Sequence, residues 1–146
     1  MSTFNQDLEQ GIEVEEAVLL KLQGKYPDAY RDEGYKKEWD IFIPSLNKAV
    51  EVKQDLESQN TGNILIEISF GGKPSALSTT KAAWWIFDIG HDHYIVTTPE
   101  RIWNVIDVNG FQPIELTGRG DDTSKMAYLI KKNIIFADIV GTIPKL

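Results

Sequence analysis

The segment 39–55 allows the chain few folds. It reads Trp-Asp-Ile-Phe-Ile-Pro-Ser-Leu-Asn-Lys-Ala-Val-Glu-Val-Lys-Gln-Asp, two short apolar runs around Pro-Ser-Leu-Asn-Lys. That pattern predicts a β-hairpin. Side chains alternate between the faces of a strand. Trp39, Ile41 and Ile43 are therefore expected on one face, with Asp40 and Phe42 on the other. In the second run Val50 and Val52 point one way, Glu51 and Lys53 the other. The common register sets Asp40 beside Glu51 across the hairpin, with Lys53 one step along. Carboxylates that close repel one another, and a hard divalent cation taking their oxygens would neutralise them. A lysine on the same face would orient a water or meet negative charge developing on a phosphate.

Upstream, 5–23 reads as a helix, with Ser2, Thr3 or Asn5 as its cap and acids crowding its first turns. Leu8, Gly11, Ile12, Val18, Leu19 and Leu22 fall on one stripe. Glu15 lies in the middle of that stripe, whereas Glu9, Glu13 and Glu16 lie off it. A carboxylate on a core-facing stripe needs a partner, because burying it unpaired is costly. Glu15 either reaches solvent where the stripe runs out, or meets a buried lysine, or is aimed at the Asp40–Glu51 pair. Gly11 would let the helix approach the sheet closely.

Segment 24–38 interleaves tyrosines with Lys25, Arg31, Lys36 and Lys37, as an amphipathic connection or a nucleic-acid contact would, and part of it leads into Trp39 as a strand. Segment 56–63 reads as a mobile polar loop. The alternation of Ile64, Ile66, Ile68 and Phe70 predicts the third strand of a meander, with Glu67 either a further acid or an outward residue. Gly71-Gly72-Lys73-Pro74 is a turn and lacks the pattern of a phosphate-binding loop, so no nucleotide cofactor is implied. Two further strands are expected, at 84–89 and 94–97. Thr98-Pro99 caps a packing helix, and 111–116 is a short strand. Asp122 or Thr123 caps a last helix with Met126, Leu129, Ile130 and Ile134 as core. The tail from Ala137 would cover an edge or meet a second copy.

These elements make an α+β fold over a single domain, 1–146. A mixed central sheet of four or five strands, its first three an antiparallel meander, carries the N-terminal helix on one face. The 146 residues, 42% hydrophobic, suit one moderate core. With no cysteine, thiolate metal sites and disulfides are excluded. No run has transmembrane length and the N-terminus does not read as a signal peptide, so a cytoplasmic protein without a membrane partner is expected.

Asp40 followed by Glu51-Val52-Lys53 resembles the signature of the PD-(D/E)XK nuclease superfamily, with Trp39 where a proline is usual. The run 63–87, with Glu67, Gly72-Lys73-Pro74-Ser75, Thr79-Thr80-Lys81-Ala82 and Trp85, is similar to a phage-type, Holliday-junction-resolvase-like subgroup. Together the resemblance spans about residues 8–90. It implies a restriction-endonuclease-like core and a Mg²⁺-dependent endonuclease, Mn²⁺ able to substitute, acting on branched or phage DNA and compatible with a homodimer. Asp40, Glu51 and the Val52 carbonyl would ligate the metal, and Glu15 would orient a second metal or its water. Lys53 would position the attacking water, while Lys73, Thr80 and Lys81 would meet DNA phosphates. The same resemblance admits a degenerate nuclease-like module that only binds DNA or protein. Against tight DNA binding stands a net charge of −7, since phosphate contacts rest on Lys and Arg. Lys73, Lys81, Arg119, Lys125, Lys131 and Lys132 are expected to gather into one basic rim.

Overall fold

Helix α1 (Phe4–Gln23) leads into strands β1 (Tyr30–Arg31), β2 (Ile41–Ile43) and β3 (Lys48–Gln54). A short helix α2 (Ser58–Thr61) precedes β4 (Asn63–Phe70) and β5 (Lys73–Pro74). After β6 (Trp84–Asp88), β7 (His93–Thr97) and helix α3 (Pro99–Asn109), the chain ends in β8 (Ile114–Thr117), β9 (Ser124–Lys131), α4 (Lys132–Ile135) and β10 (Gly141–Pro144). This computed structural model describes residues 4–34, 38–117 and 124–146.

The β2–β3 hairpin forms in the expected register, Ile41 facing Val50 and Ile43 facing Lys48. Its 3-10 turn, Pro44–Leu46, closes on Asn47, which takes a left-handed conformation at φ 51° and donates its N–H to the Pro44 carbonyl. Asparagine adopts that region at low cost. The hairpin belongs to a six-stranded mixed sheet in the order β1-β2-β3-β6-β7-β10, where β3 and β6 run parallel and every other pair antiparallel. A second, antiparallel sheet has the order β5-β4-β9-β8.

Two cores sandwich the first sheet. On one face Val14, Val18 and Leu22 of α1 pack on Ile41, Ile43, Val50, Ile86 and Val96. On the other, Trp85 and Phe87 of β6 meet Ile64, Ile66, Tyr128 and Ile130 of the second sheet and Ile102 and Ile106 of α3. Successive residues of β6 thus point to opposite cores, which is why 84–89 reads as continuously apolar.

An antiparallel meander does open the sheet, but its members are β1, β2 and β3; the strand from Asn63 to Phe70 pairs with β9 instead. Alternation fixes which face of a strand is buried and says nothing of its neighbour. The far edge of β3 is taken by β6, so Ile64 and Ile66 bury against Trp85 and Phe87 from the second layer. The sheet accordingly has six strands, not four or five, with four more in the second sheet.

The expected last helix is strand β9. Tyr128 and Ile130 are buried and Leu129 and Lys131 exposed, a period of two set by pairing with β4. Asp122 and Thr123, read as its caps, lie outside the described residues, as do Ser2 and Thr3 for α1; Asn5 falls inside α1. The 56–63 loop is tied down: Asp55 accepts the N–H groups of Ser58 and Leu65, and α2 occupies its centre. A Cβ at Gly11 would meet nothing within 4 Å, so that glycine is not needed for helix–sheet approach. Thr98 caps α3 as expected, accepting the Arg101 N–H. The tail covers an edge, with β10 pairing along β7.

Candidate active site on the β3–β6 face

Val50 is buried beneath α1, so alternation along β3 turns Glu51 and Lys53 to the other face, toward the second sheet. There they line a cleft of about 370 Å³ together with Glu38, Ala76, Thr79, Thr80, Lys81 and Trp85. Four residues singled out from sequence, Glu51, Lys53, Thr80 and Lys81, are thereby brought together from segments thirty residues apart in the chain.

Asp40 stands one residue before β2, just beyond the Ile41–Val50 pair at which the ladder ends. It is 5% exposed. Its backbone N–H donates to the Val50 carbonyl, its carbonyl accepts from Asp32 N–H, and its Oδ2 accepts the Val52 N–H at 2.7 Å. The carboxylate therefore fills the place where β2 has left β3 and would otherwise leave the Val52 amide without a strand partner. Asp40 is thus tied to Val52, the residue between Glu51 and Lys53.

Lys53 Nζ lies 3.6 Å from Glu51 Oε1 and 5.1 Å from the centre of the Trp85 ring. Trp85 is buried and is the parallel register partner of Glu51. Its indole Nε1–H donates to Thr80 Oγ1 at 3.1 Å, and the same oxygen accepts the Ala82 N–H at 3.2 Å. One tryptophan therefore supports the lysine and anchors the loop that forms the opposite wall. Lys81, on that wall, pairs with Glu38 at 3.2 Å across the mouth, both side chains well exposed.

The core-facing stripe of α1 is Val14, Val18 and Leu22, and Glu15 beside it faces β1 on the side of the sheet that carries Val50, not the side that carries Glu51. Arg31 meets it there at 3.6 Å, both side chains largely buried. Arg31 also reaches Glu16 and Glu33, and its register partner is Ile41, the neighbour of Asp40. Arg31 is the functional candidate that sequence reasoning missed: it was one base among several in 24–38, and only the pairing of β1 with β2 turns it toward α1.

The remaining candidates lie elsewhere. Glu67 accepts the Ser75 hydroxyl at 2.8 Å. Lys73 sits on β5, outside the cleft. It and Lys125 both pair with Phe70 at one end of the second sheet, whereas Lys131 and Lys132 lie at the other end of β9. Six residues of strand separate Lys125 from Lys131, about 20 Å, so the single basic rim does not form; Arg119 is outside the described residues. Trp39 departs from Ile41 and Ile43 as well: the bend at Asp40 breaks the alternation, and its ring packs on Phe42 instead.

Among the described residues no three His, Cys, Asp or Glu side chains converge as a cage for a metal ion. Asp40, Glu51 and the Val52 carbonyl offer oxygen atoms only. Such a donor set suits Mg²⁺, which keeps several waters and binds through one or two carboxylates and substrate phosphates. Among the described residues no helix is long and apolar enough to cross a membrane. No protein-family model matches the chain, and no curated protein or solved structure shows significant similarity to it.

Proposed function

We propose that the chain is a Mg²⁺-dependent DNA endonuclease of the PD-(D/E)XK type, its reaction the hydrolysis of a phosphodiester in the β3–β6 cleft. The observation that supports this reading is the bond from the Val52 N–H to Asp40, set between Glu51 and Lys53, which pair at 3.6 Å in a cleft walled by Thr80 and Lys81. Asp40, Glu51 and the Val52 carbonyl would hold the ion, which when bound lowers the pKa of a water and offsets charge on the phosphate. Lys53, leaning on Trp85 and paired with Glu51, would orient the attacking water or meet charge developing on the phosphate oxygens. Lys81 would exchange Glu38 for a substrate phosphate, an exchange that costs little because a surface pair is worth about 0–1 kcal/mol. Glu15, fixed by Arg31, would order a second ion or its water from the helix side.

Cleavage of supercoiled, linear and four-way-junction DNA in Mg²⁺, with EDTA controls, tests the proposal. Asp40→Asn and Lys53→Ala are expected to abolish cutting with unchanged far-UV spectra, and Glu15→Gln to impair it where Glu13→Gln does not. DNA binding without Mg²⁺-dependent cutting by the wild type would assign the fold to a binding module instead. Wild-type rates from both Asp40→Asn and Lys53→Ala would remove the site.

A further inference from the structure

Three aromatic rings lie outside both hydrophobic cores, on the sheet face that carries Glu51 and Lys53. Tyr30 and Phe42 are register partners on β1 and β2, and Phe42 pairs with Ala49, whose next same-face neighbour on β3 is Glu51. Trp39 folds back onto them, its ring centre 5.2 Å from that of Phe42 and 5.8 Å from that of Tyr30. The core beneath the second sheet takes no residue from β1 or β2, and the α1 core takes none of these three. Tyr30 is 48% exposed, and Trp39 and Phe42 are half-buried. Burying a large apolar side chain contributes about 1.5–3 kcal/mol, so the chain forgoes stability by keeping three rings together at the surface.

Glu38, the residue before Trp39, lines the cleft and spans its mouth to Lys81. The aromatic shelf is therefore continuous with the proposed cutting site. A chain of net charge −7 is poorly equipped to hold DNA by phosphate neutralisation alone. Stacking on aromatic rings is insensitive to that deficit and adds about 1–3 kcal/mol per base.

We propose that Tyr30, Trp39 and Phe42 form a stacking shelf for unpaired bases of the DNA strand whose phosphodiester enters the adjacent cleft. The inference rests on the nuclease reading for the occupant of the cleft. Bases in a continuous duplex are stacked on one another and cannot reach the shelf, whereas those beside a gap, flap or frayed end can. The shelf makes unpaired nucleotides next to the cut the feature by which this chain selects its substrate.

Fluorescence anisotropy in EDTA, with a labelled oligothymidylate and a blunt duplex of equal length, provides the test. Trp39→Ala should weaken oligothymidylate binding about tenfold, leave the duplex within twofold and leave the salt dependence unchanged. Trp39→Phe, which keeps a ring, should recover most of the loss. Lys81→Ala should instead lower the salt slope by about one on both probes. Photo-cross-linking of an iodouracil oligonucleotide should mark the peptides carrying Tyr30, Trp39 or Phe42, independently of any variant. Unchanged oligothymidylate affinity in Trp39→Ala overturns the shelf, as does an equal loss on the duplex. Loss of a dimer on sedimentation, with single-strand binding intact, overturns it too and assigns the rings to a contact between copies. Cleavage plays no part in this readout: failure of the shelf in a protein that cuts DNA in Mg²⁺ leaves the nuclease reading intact. Stacking by a protein that never cuts leaves the shelf intact.

Discussion

Replacing Asp40 separates the two things its carboxylate does. In the metal-free protein Oδ2 accepts the Val52 N–H at 2.7 Å in a residue 5% exposed. Asp40→Ala deletes the acceptor and leaves that amide facing a small void, a loss of about 1–3 kcal/mol for a buried donor. Val52 is only partly buried, so water recovers some of this, and about 1–2 kcal/mol is the expected cost. In a chain of this length each kcal/mol lowers the melting temperature by roughly 2–4 °C, which gives a drop of about 2–8 °C for alanine. Asp40→Asn keeps an oxygen at the same place. It gives up the charge-assisted part of the bond, since bonds to ionised acceptors are about twice as strong as neutral ones. It also removes a negative charge held at the Val52 amide, next to Glu51 in the chain, and so lessens repulsion there. These two changes oppose each other, so Asn is expected within about 1 kcal/mol of wild type, while both variants lose Mg²⁺-dependent cutting. Thermal melts in EDTA measure the stability, and amide exchange at Val52 reports the bond itself, protected in Asn and fast in Ala. An alanine variant that melts with wild type would show the bond to be worthless. An asparagine variant that falls as far as alanine would show that charge, not the acceptor, holds the β2–β3 junction.

Two further outcomes follow from contacts of the candidate site and of the sheet. Trp85→Phe keeps a ring beneath Lys53 but deletes the Nε1–H donor to Thr80, so it should lower cleavage, with Thr80→Val lowering it similarly and the double variant no further; additive losses in a double-mutant cycle would refute a shared role. Burial raises the Asp88 carboxyl pKa, but hydrogen bonds from Lys145, Gly90 and Gln54 outweigh it and hold the group below its ordinary value. Its contribution to stability is therefore present above the ordinary Asp value of about 3.9 and lost as the pH falls through the lower folded value. Lys145→Met should flatten that acid limb in melting curves taken across the range, and identical limbs in both proteins would contradict the assignment.

Local pattern carried most of what could be read before the fold was known. The hairpin register, the cap on α3, the buried stripe of α1 and the strand at β6 each depend on residues close in sequence, where period and turn chemistry act directly. What escaped depends on partners chosen at a distance. Val50 and Trp84 are register partners across a parallel crossover, and no feature of 48–54 or 84–88 alone declares it. Once β6 occupies that edge of β3, the strand at 63–70 is forced into a second layer. Likewise Met126–Ile130 carries a run that suits a helix or a strand; pairing with β4 decides between them.

The candidate site divides along the same line. Asp40, Glu51 and Lys53 were legible as candidates because one hairpin carries all three, with a period of two setting Glu51 and Lys53 on one face. Trp85 was legible as an apolar strand residue and as one of the run 63–87, but not as a support of the cleft; its ring bears on Lys53 and its N–H fixes Thr80, so the cleft depends on it from both sides. Arg31 was hidden among ordinary surface bases until β1 paired with β2 and set it against Glu15. Trp39 was assigned to the wrong face because alternation was carried one residue past Asp40, where the backbone bends. That bend is where the Asp40 carboxylate replaces a strand bond and takes the Val52 amide. The same local departure from regular pairing turns Trp39 onto Phe42 and ties Asp40 to Val52, between Glu51 and Lys53. In this chain the irregularity in the hairpin is what assembles the candidate site.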